Sequence, residues 1–334
     1  MAEALRLCVI PGDGIGQEVV PAAVQVLRQV LPQVECVEAE AGWGCFQRVG
    51  KALPIQTIET AKQCGAVLFG AVSSPSRKVE GYRSPIVELR RRLDCYANLR
   101  PTVSPPLPGA RQGVNLLVIR ENTEDIYIGE EESDGEVATA MRRITRLASR
   151  RVGEVACRLS RGKLTIVHKA NILPLTDGLF RDSVREVAEA QFPRLELEER
   201  LVDAAAYELA RYPERFDTLV APNLYGDILS DLAAAWGGGL GMAPSLNLGE
   251  SAAIAEPVHG SAPDIAGTGQ ANPVAAMLSL ALLARSWWNQ PEAADAIEKA
   301  VAATLASGVG TPDLNLPARC STQAFTYAVL ALLA

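Results

Sequence analysis

The chain has 334 residues, enough for two domains or one large α/β unit and ample to bury a core. Its 48% hydrophobic and 21% charged residues describe an ordinary globular protein, and a formal net charge of −7 gives no global reason to expect a nucleic-acid partner. Seven cysteines, odd in number and without a CxxC pair, read as reduced thiols of a cytoplasmic protein, and two histidines exclude a histidine-rich metal site.

In chain order, "LRLCVI" (5–10) reads as a strand, "PGDGIG" as a turn and 17–30 as an amphipathic helix. "GAVLFGAV" (65–72), "NLLVIR" (115–120), "LTIVHK" (164–169) and "FDTLVAP" (216–222) read as further buried strands, each followed by a polar or glycine turn. Strands interleaved with helices predict an α/β fold with a largely parallel sheet. The Pro-rich "RPTVSPPLPGARQG" (100–113) is the clearest crossing between lobes. The acidic-then-basic stretch 129–146 reads as an arm or loop that packs on a partner, and the Ala/Leu-rich 273–306 as structural helix. No apolar run approaches the roughly 20 residues that span a bilayer. The opening residues lack a basic region followed by a long apolar core, so neither a secretory signal nor a membrane partner is expected.

Several stretches carry chemistry. "NLYGDILSD" (223–231) sets Asp227 and Asp231 one helical turn apart on one face, where like charges repel unless something positive lies between them. A solvated helix face is the plain alternative, but the flanking Ile228, Leu229 and Leu232 indicate a partly buried element. Oxygen-only ligands on a rigid helix suit a hard cation such as Mg2+ or Mn2+. "GDGIG" (12–16) has Gln17 where a dinucleotide fingerprint needs its last glycine, so a tight strand-to-helix turn explains it equally well. Arg90, Arg100 and Arg120 would suit a substrate with several carboxylates, which arginine forks bind bidentately; Arg90–Arg92 also fits an exposed basic turn. Tyr127, seven residues past Arg120, and Lys169, at a strand end in "HKANIL", are either proton-transfer groups or surface residues. In "EPVHGSAPDIAGTGQANP" (256–273), small residues after His259 let backbone approach a ligand. Asp264 could accept hydrogen bonds from a ribose diol and would repel a 2′-phosphate, which favours NAD over NADP.

Taken together, RENTE, HKAN, NLYGDILSD and HGSAPDIAG-G-ANP resemble the β-decarboxylating dehydrogenases acting on isocitrate, 3-isopropylmalate, homoisocitrate and tartrate, from "IPGDGIG" to "GTPDLN". The resemblance implies a two-lobed α/β isocitrate/isopropylmalate dehydrogenase-like fold, not Rossmann, with the active-site cleft between lobes and a homodimer sharing its active sites. The large cofactor-binding lobe would combine 1–98 with 248–334; the small lobe, 99–247, would carry the metal-binding helix and a dimer arm. Asp227 and Asp231 of one subunit and Asp203 of the other would hold the metal. Lys169, from the partner in this family, would assist removal of the hydroxyl proton, and Tyr127 would protonate the enol. Ser74, Val87, Arg90, Arg100, Arg120 and Asn171 would contact substrate, with Asn171 between substrate and nicotinamide. NAD would be held by Glu256, His259, Gly260, Ser261, Ala262, Asp264, Ile265, Asn272 and Asp313.

Substrate choice in this family depends on "KVEGYRSPIVELRRR" (78–92), which resembles homoisocitrate dehydrogenases most closely. Val87 departs from the bacterial homoisocitrate enzymes, which carry an arginine there, and Ile86 with Val87 would equally make an apolar surface for an isopropyl group. Homoisocitrate leads, 3-isopropylmalate follows and isocitrate is third. Arg83, four residues upstream of Val87, is the nearest candidate in sequence to meet a distal carboxylate. A catalytically silent regulatory subunit is the alternative from another class; it should have lost Lys169, Tyr127 or one of the three aspartates, and all are present.

Overall fold

A computed structural model describes residues 5–77 and 79–333. Lys78, in the segment expected to choose the substrate, lies outside the described residues. The chain divides into two compact units: Met1–Asp94 with Pro105–Ala110 and Gly238–Ala334, and Cys95–Ser104 with Arg111–Gly237. The Pro-rich segment accordingly changes unit twice, and its start is strand, with Pro101 opposite Leu117.

In the first unit the strand Arg6–Gly12 lies between Glu35–Glu38 and Ala66–Ala71, parallel to both, and Ala253–Ala255 continues the parallel set beyond Ala66–Ala71. Leu246–Leu248 runs antiparallel to Ala253–Ala255. Ala66–Ala71 is buried along its whole length, as a parallel strand covered on both faces must be. The helix Gly16–Val30 buries Val19, Val20, Ala23, Val26 and Leu27, an i, i+3/i+4 stripe, and the Ala/Leu-rich end forms two helices, Val274–Ser286 and Pro291–Ala306.

In the second unit Asn115–Glu121 lies between the antiparallel Ala97–Val103 and the parallel Thr218–Ala221, beyond which Lys163–His168 and Glu196–Leu201 follow in parallel. The apolar core of this unit gathers Leu116, Val118 and Leu219 from the strands, Leu209, Leu229 and Ala233 from the helices, and Phe216 ahead of Thr218–Ala221. Every strand read from periodicity is present. Those that escaped it are short, interrupted by an arginine and a proline as in Ala97–Val103, or, like "ELEERL" (196–201), too charged to show an apolar pattern because only one strand flanks them. The arm residues form an exposed hairpin, Glu131–Ser133 with Ala138–Ala140. Among the described residues no helix is long and apolar enough to cross a membrane.

Candidate active site

The second unit assembles its charged groups on one face of its sheet. Asn98 stands opposite Arg120, and Arg100 opposite Val118, so Asn98, Arg100 and Arg120 point to the same side. Both arginines are nearly buried, 8% and 2% exposed, so each guanidinium requires partners. The helix Asn223–Ala234 supplies them. Arg120 donates through Nε to Asn223 Oδ1 (2.7 Å) and pairs with Asp227. Arg100 donates to Ser230 Oγ (2.8 Å) and Asp231 Oδ1 (2.9 Å), lies 3.3 Å from Asp227 and is steadied by Asn98 (2.7 Å). Gly226 lets the helix approach: a Cβ there would fall 2.7 Å from Arg120 Cβ. The polar positions of "NLYGDILSD" thus form the side of the helix that meets two arginines.

Tyr127 follows in the short turn Ile126–Ile128 and donates its hydroxyl to Asp227 Oδ2 at 2.5 Å, with the Arg120 guanidinium 4.8 Å from its ring centre. Burial, then the Asp227 hydrogen bond, push the phenol above its ordinary pKa, so it stays protonated at neutral pH. Burial and the charge of Asp227 also raise the Asp231 carboxyl, against the pull of Arg100. Lys169, at the end of Lys163–His168, is ion-paired with Asp203 in the first turn of Val202–Arg211, and that contact holds the Asp203 carboxyl below its usual range. Asn171 is exposed beside it.

Two hard-oxygen carboxylates one turn apart, 33% and 50% exposed although paired with arginines, fit a divalent cation. Among the described residues no three His, Cys, Asp or Glu side chains converge on one metal-sized point, so Asp203 does not join Asp227 and Asp231 within one chain.

The first unit carries the glycine-rich loop. Its "GDGIG" turn braces this loop and the strand beside it. A Cβ on Gly14 would collide with the Ser261 carbonyl, one on Gly12 with the Ala71 carbonyl, and Ile15 N–H donates to Ser261 O at 2.9 Å. Asp13 is saturated by the N–H groups of Trp43, Gly44 and Ser73, and Glu18 accepts from Gly267 N–H at 2.6 Å. Ser261 also bonds the Ser73 hydroxyl, and Ala262 holds a left-handed φ of 38°. Asn272 donates to Asp313 at 3.0 Å, joining two of the expected cofactor residues. Asp264 is exposed and Ile265 half-buried, and a Cβ on Gly260 would meet open space. His259 Nε2 is buried without a hydrogen-bond partner among the described residues, a polar atom that a bound ligand could satisfy. Burial lowers the His259 pKa, so the ring is neutral. This loop fits a dinucleotide.

In the same unit Glu256 accepts from Arg90 at 2.7 Å and from Asn247 at 3.0 Å. One expected cofactor contact and one expected substrate grip are therefore an ion pair, both side chains largely buried. In the helix Pro85–Arg92, Val87 is half-buried but Ile86 is only 8% exposed, so Ile86 is a core residue and the apolar surface expected from the pair reduces to Val87. Arg83 and Ser74 are exposed. Periodicity missed Asn98, Asn223 and Ser230, although the last two lie at i−4 and i+3 from Asp227. It also missed Asp125, Arg142 and Asp177, which no local pattern connects.

The fold and these groups define an α/β enzyme suited to an anionic substrate and a nucleotide cofactor. Residues 6–329 match the isocitrate/isopropylmalate dehydrogenase family, and the chain belongs to it. The isocitrate/homoisocitrate dehydrogenase of Thermus thermophilus is 52% identical over 331 residues, 98% of each chain. The 3-isopropylmalate dehydrogenase of Methanothermobacter thermautotrophicus is 46% identical over 318 residues, 94% of each. The crystal structure of isocitrate dehydrogenase from Methylococcus capsulatus matches with a TM-score of 0.93 at 40% identity, covering 98% of this chain and 99% of that one. The protein is an oxidatively decarboxylating dehydrogenase of a family that uses NAD and a divalent metal.

Proposed function

We propose that the protein oxidises and decarboxylates homoisocitrate to 2-oxoadipate and CO2 with NAD+ and Mg2+ or Mn2+, as a step toward lysine in the cytoplasm. The observation that carries the site assignment is the convergence of Arg100, Arg120 and Tyr127 on Asp227 and Asp231. When bound, the cation supplies Lewis-acid polarisation of the substrate oxygens and NAD+ the hydride acceptor. Arg90, Arg100 and Arg120 hold the carboxylates, and Asn171 orients the acid. Lys169, with Asp203 as counter-charge, assists removal of the hydroxyl proton. Tyr127, kept protonated by burial, returns a proton to carbon once CO2 has left. Glu256, His259, Gly260, Ser261, Ala262, Asp264, Ile265, Asn272 and Asp313 serve the cofactor.

Asp203 and Lys169 are paired with each other, apart from the Asp227/Asp231 set, which supports a homodimer in which a second copy completes the metal ligands. Exposed Met141, Leu147, Ile172, Leu175, Tyr207 and Ile228 in the same unit offer apolar surface for that partner. The hairpin arm, marginal alone, would be covered there too.

The name and 52% identity of the Thermus thermophilus relative support homoisocitrate. The half-buried, uncharged Val87 favours 3-isopropylmalate as the second reading, with isocitrate third. NADH formation with each of the three acids, with and without metal, tests this. A wild type far faster on 3-isopropylmalate refutes the substrate order, and Val87→Arg should then favour carboxylate-bearing acids at the expense of 3-isopropylmalate.

A further inference from the structure

Asp125 and Asp177 are both fully buried, and neither serves in the chemistry above. A carboxylate without exposure needs a cation and hydrogen bonds for its lone pairs. One side chain, Arg142, reaches both. Its Nε donates to Asp125 Oδ1 at 2.5 Å, its second terminal nitrogen lies 3.4 Å from Asp125 Oδ2, and its first pairs with Asp177 Oδ1. The face of the guanidinium lies 4.9 Å from the ring centre of Tyr225.

Backbone N–H groups of three separate segments also donate to these carboxylates. Asp125 Oδ1 accepts from Ile126, the residue before Tyr127, at 2.9 Å. Asp125 Oδ2 accepts from Leu224, at the start of the helix that carries Asp227 and Asp231, also at 2.9 Å. Asp177 Oδ2 accepts from Lys169 itself at 2.5 Å. Asp125 sits at φ 70°, a left-handed conformation costly for a residue with a side chain, which persists only where surrounding bonds over-determine it.

We infer that Arg142 is a positioning residue: through Asp125 and Asp177 it holds the backbone at Tyr127, Lys169 and the Asp227/Asp231 helix in one fixed arrangement. This rests on the roles proposed for Tyr127 and Lys169. The fork geometry is essential to it, because a lysine ammonium restores the charge but cannot present parallel donors to one carboxylate and a third to another. A misplacement of about 1 Å in such groups costs up to roughly 100-fold in rate.

The test uses the full chain with Arg142→Gln, Arg142→Lys and Asp177→Asn, and as substrate whichever of homoisocitrate, 3-isopropylmalate and isocitrate the wild type turns over fastest. Folded protein is counted by NAD+ binding stoichiometry. For Arg142→Gln, kcat per folded molecule should fall at least about tenfold while KM for NAD+ stays within about twofold. Arg142→Lys should recover part of the loss, and the pH at half-maximal kcat should move, which mere loss of folded protein would not cause. Asp177→Asn keeps an acceptor for Lys169 N–H but loses the ion pair, and should lower kcat in the same manner. If Arg142→Gln does not fold, a folded Arg142→Lys or Asp177→Asn with wild-type kcat and pH profile overturns the inference, as does wild-type kcat in Arg142→Gln. Tyr127→Phe and Lys169→Met run in parallel: wild-type rates in those would refute the catalytic roles themselves, a different failure.

Discussion

Gly226→Ala sets two effects of opposite sign against each other. In a helix interior, alanine is favoured over glycine by about 1 kcal/mol. At Gly226 the added Cβ would lie 2.7, 2.9 and 3.0 Å from the Cβ, Cγ and Cα of Arg120, and two of those atoms belong to or adjoin the strand backbone. Overpacking of that kind costs about 1–3 kcal/mol. Displacing Arg120, 2% exposed and paired with Asp227 and Asn223, adds part of the roughly 3–5 kcal/mol lost when a buried ion pair is broken. The strain outweighs the propensity, and a net loss of about 1–4 kcal/mol should lower Tm by roughly 1–6 °C in a chain of 334 residues. Turnover should fall further than Tm indicates, because Arg120 and Asp227 shift together. Gly178 supplies the contrast: it lies in the helix Thr176–Gln191 with open space where a Cβ would go, so Gly178→Ala should hold or raise Tm. Calorimetric scans, with NADH formation at about 25 °C, read both variants. A Gly226→Ala enzyme as stable and as fast as wild type would refute the close packing of Arg120 under this helix.

Glu124 is 6% exposed, and burial pushes its carboxyl from 4.5 to about 7 although Thr145 N–H donates to it at 2.7 Å. A carboxyl whose folded pKa is raised contributes stability that is whole below its ordinary pKa and is lost as pH rises through about 7; the span corresponds to roughly 3 kcal/mol. Glu124→Gln keeps the acceptor without the charge, so urea denaturation at mildly acidic and mildly alkaline pH should show a smaller fall in stability with rising pH than wild type; an unchanged slope would remove Glu124 as its source. Asp264→Lys should narrow or invert a preference for NAD+ over NADP+ in steady-state kinetics, whereas a wild type that already prefers NADP+ would mean the loop is misread.

Much of the site is local chemistry, and for that reason the chain order of residues reveals it. Asp227 and Asp231 share a helix face because four residues make about one turn, and Asn223 and Ser230 join them by the same period. The strands Ala66–Ala71 and Asn115–Glu121 are visible because burial on both faces demands unbroken apolar runs. Tertiary packing alone decides which cation meets which carboxylate. Arg90 lies 166 residues from Glu256 and is matched to it through separate elements, although sequence places both among ligand contacts. Ile86 and Val87 are equivalent as letters, and only the rotation of their helix sends one into the core and leaves the other half-buried. "GDGIG" looks like a phosphate cradle until the Ser261 carbonyl is found where a side chain on Gly14 would stand. Arg142, Asp125 and Asp177 come together because two buried carboxylates require one buried fork, a condition set by desolvation and not by spacing along the chain.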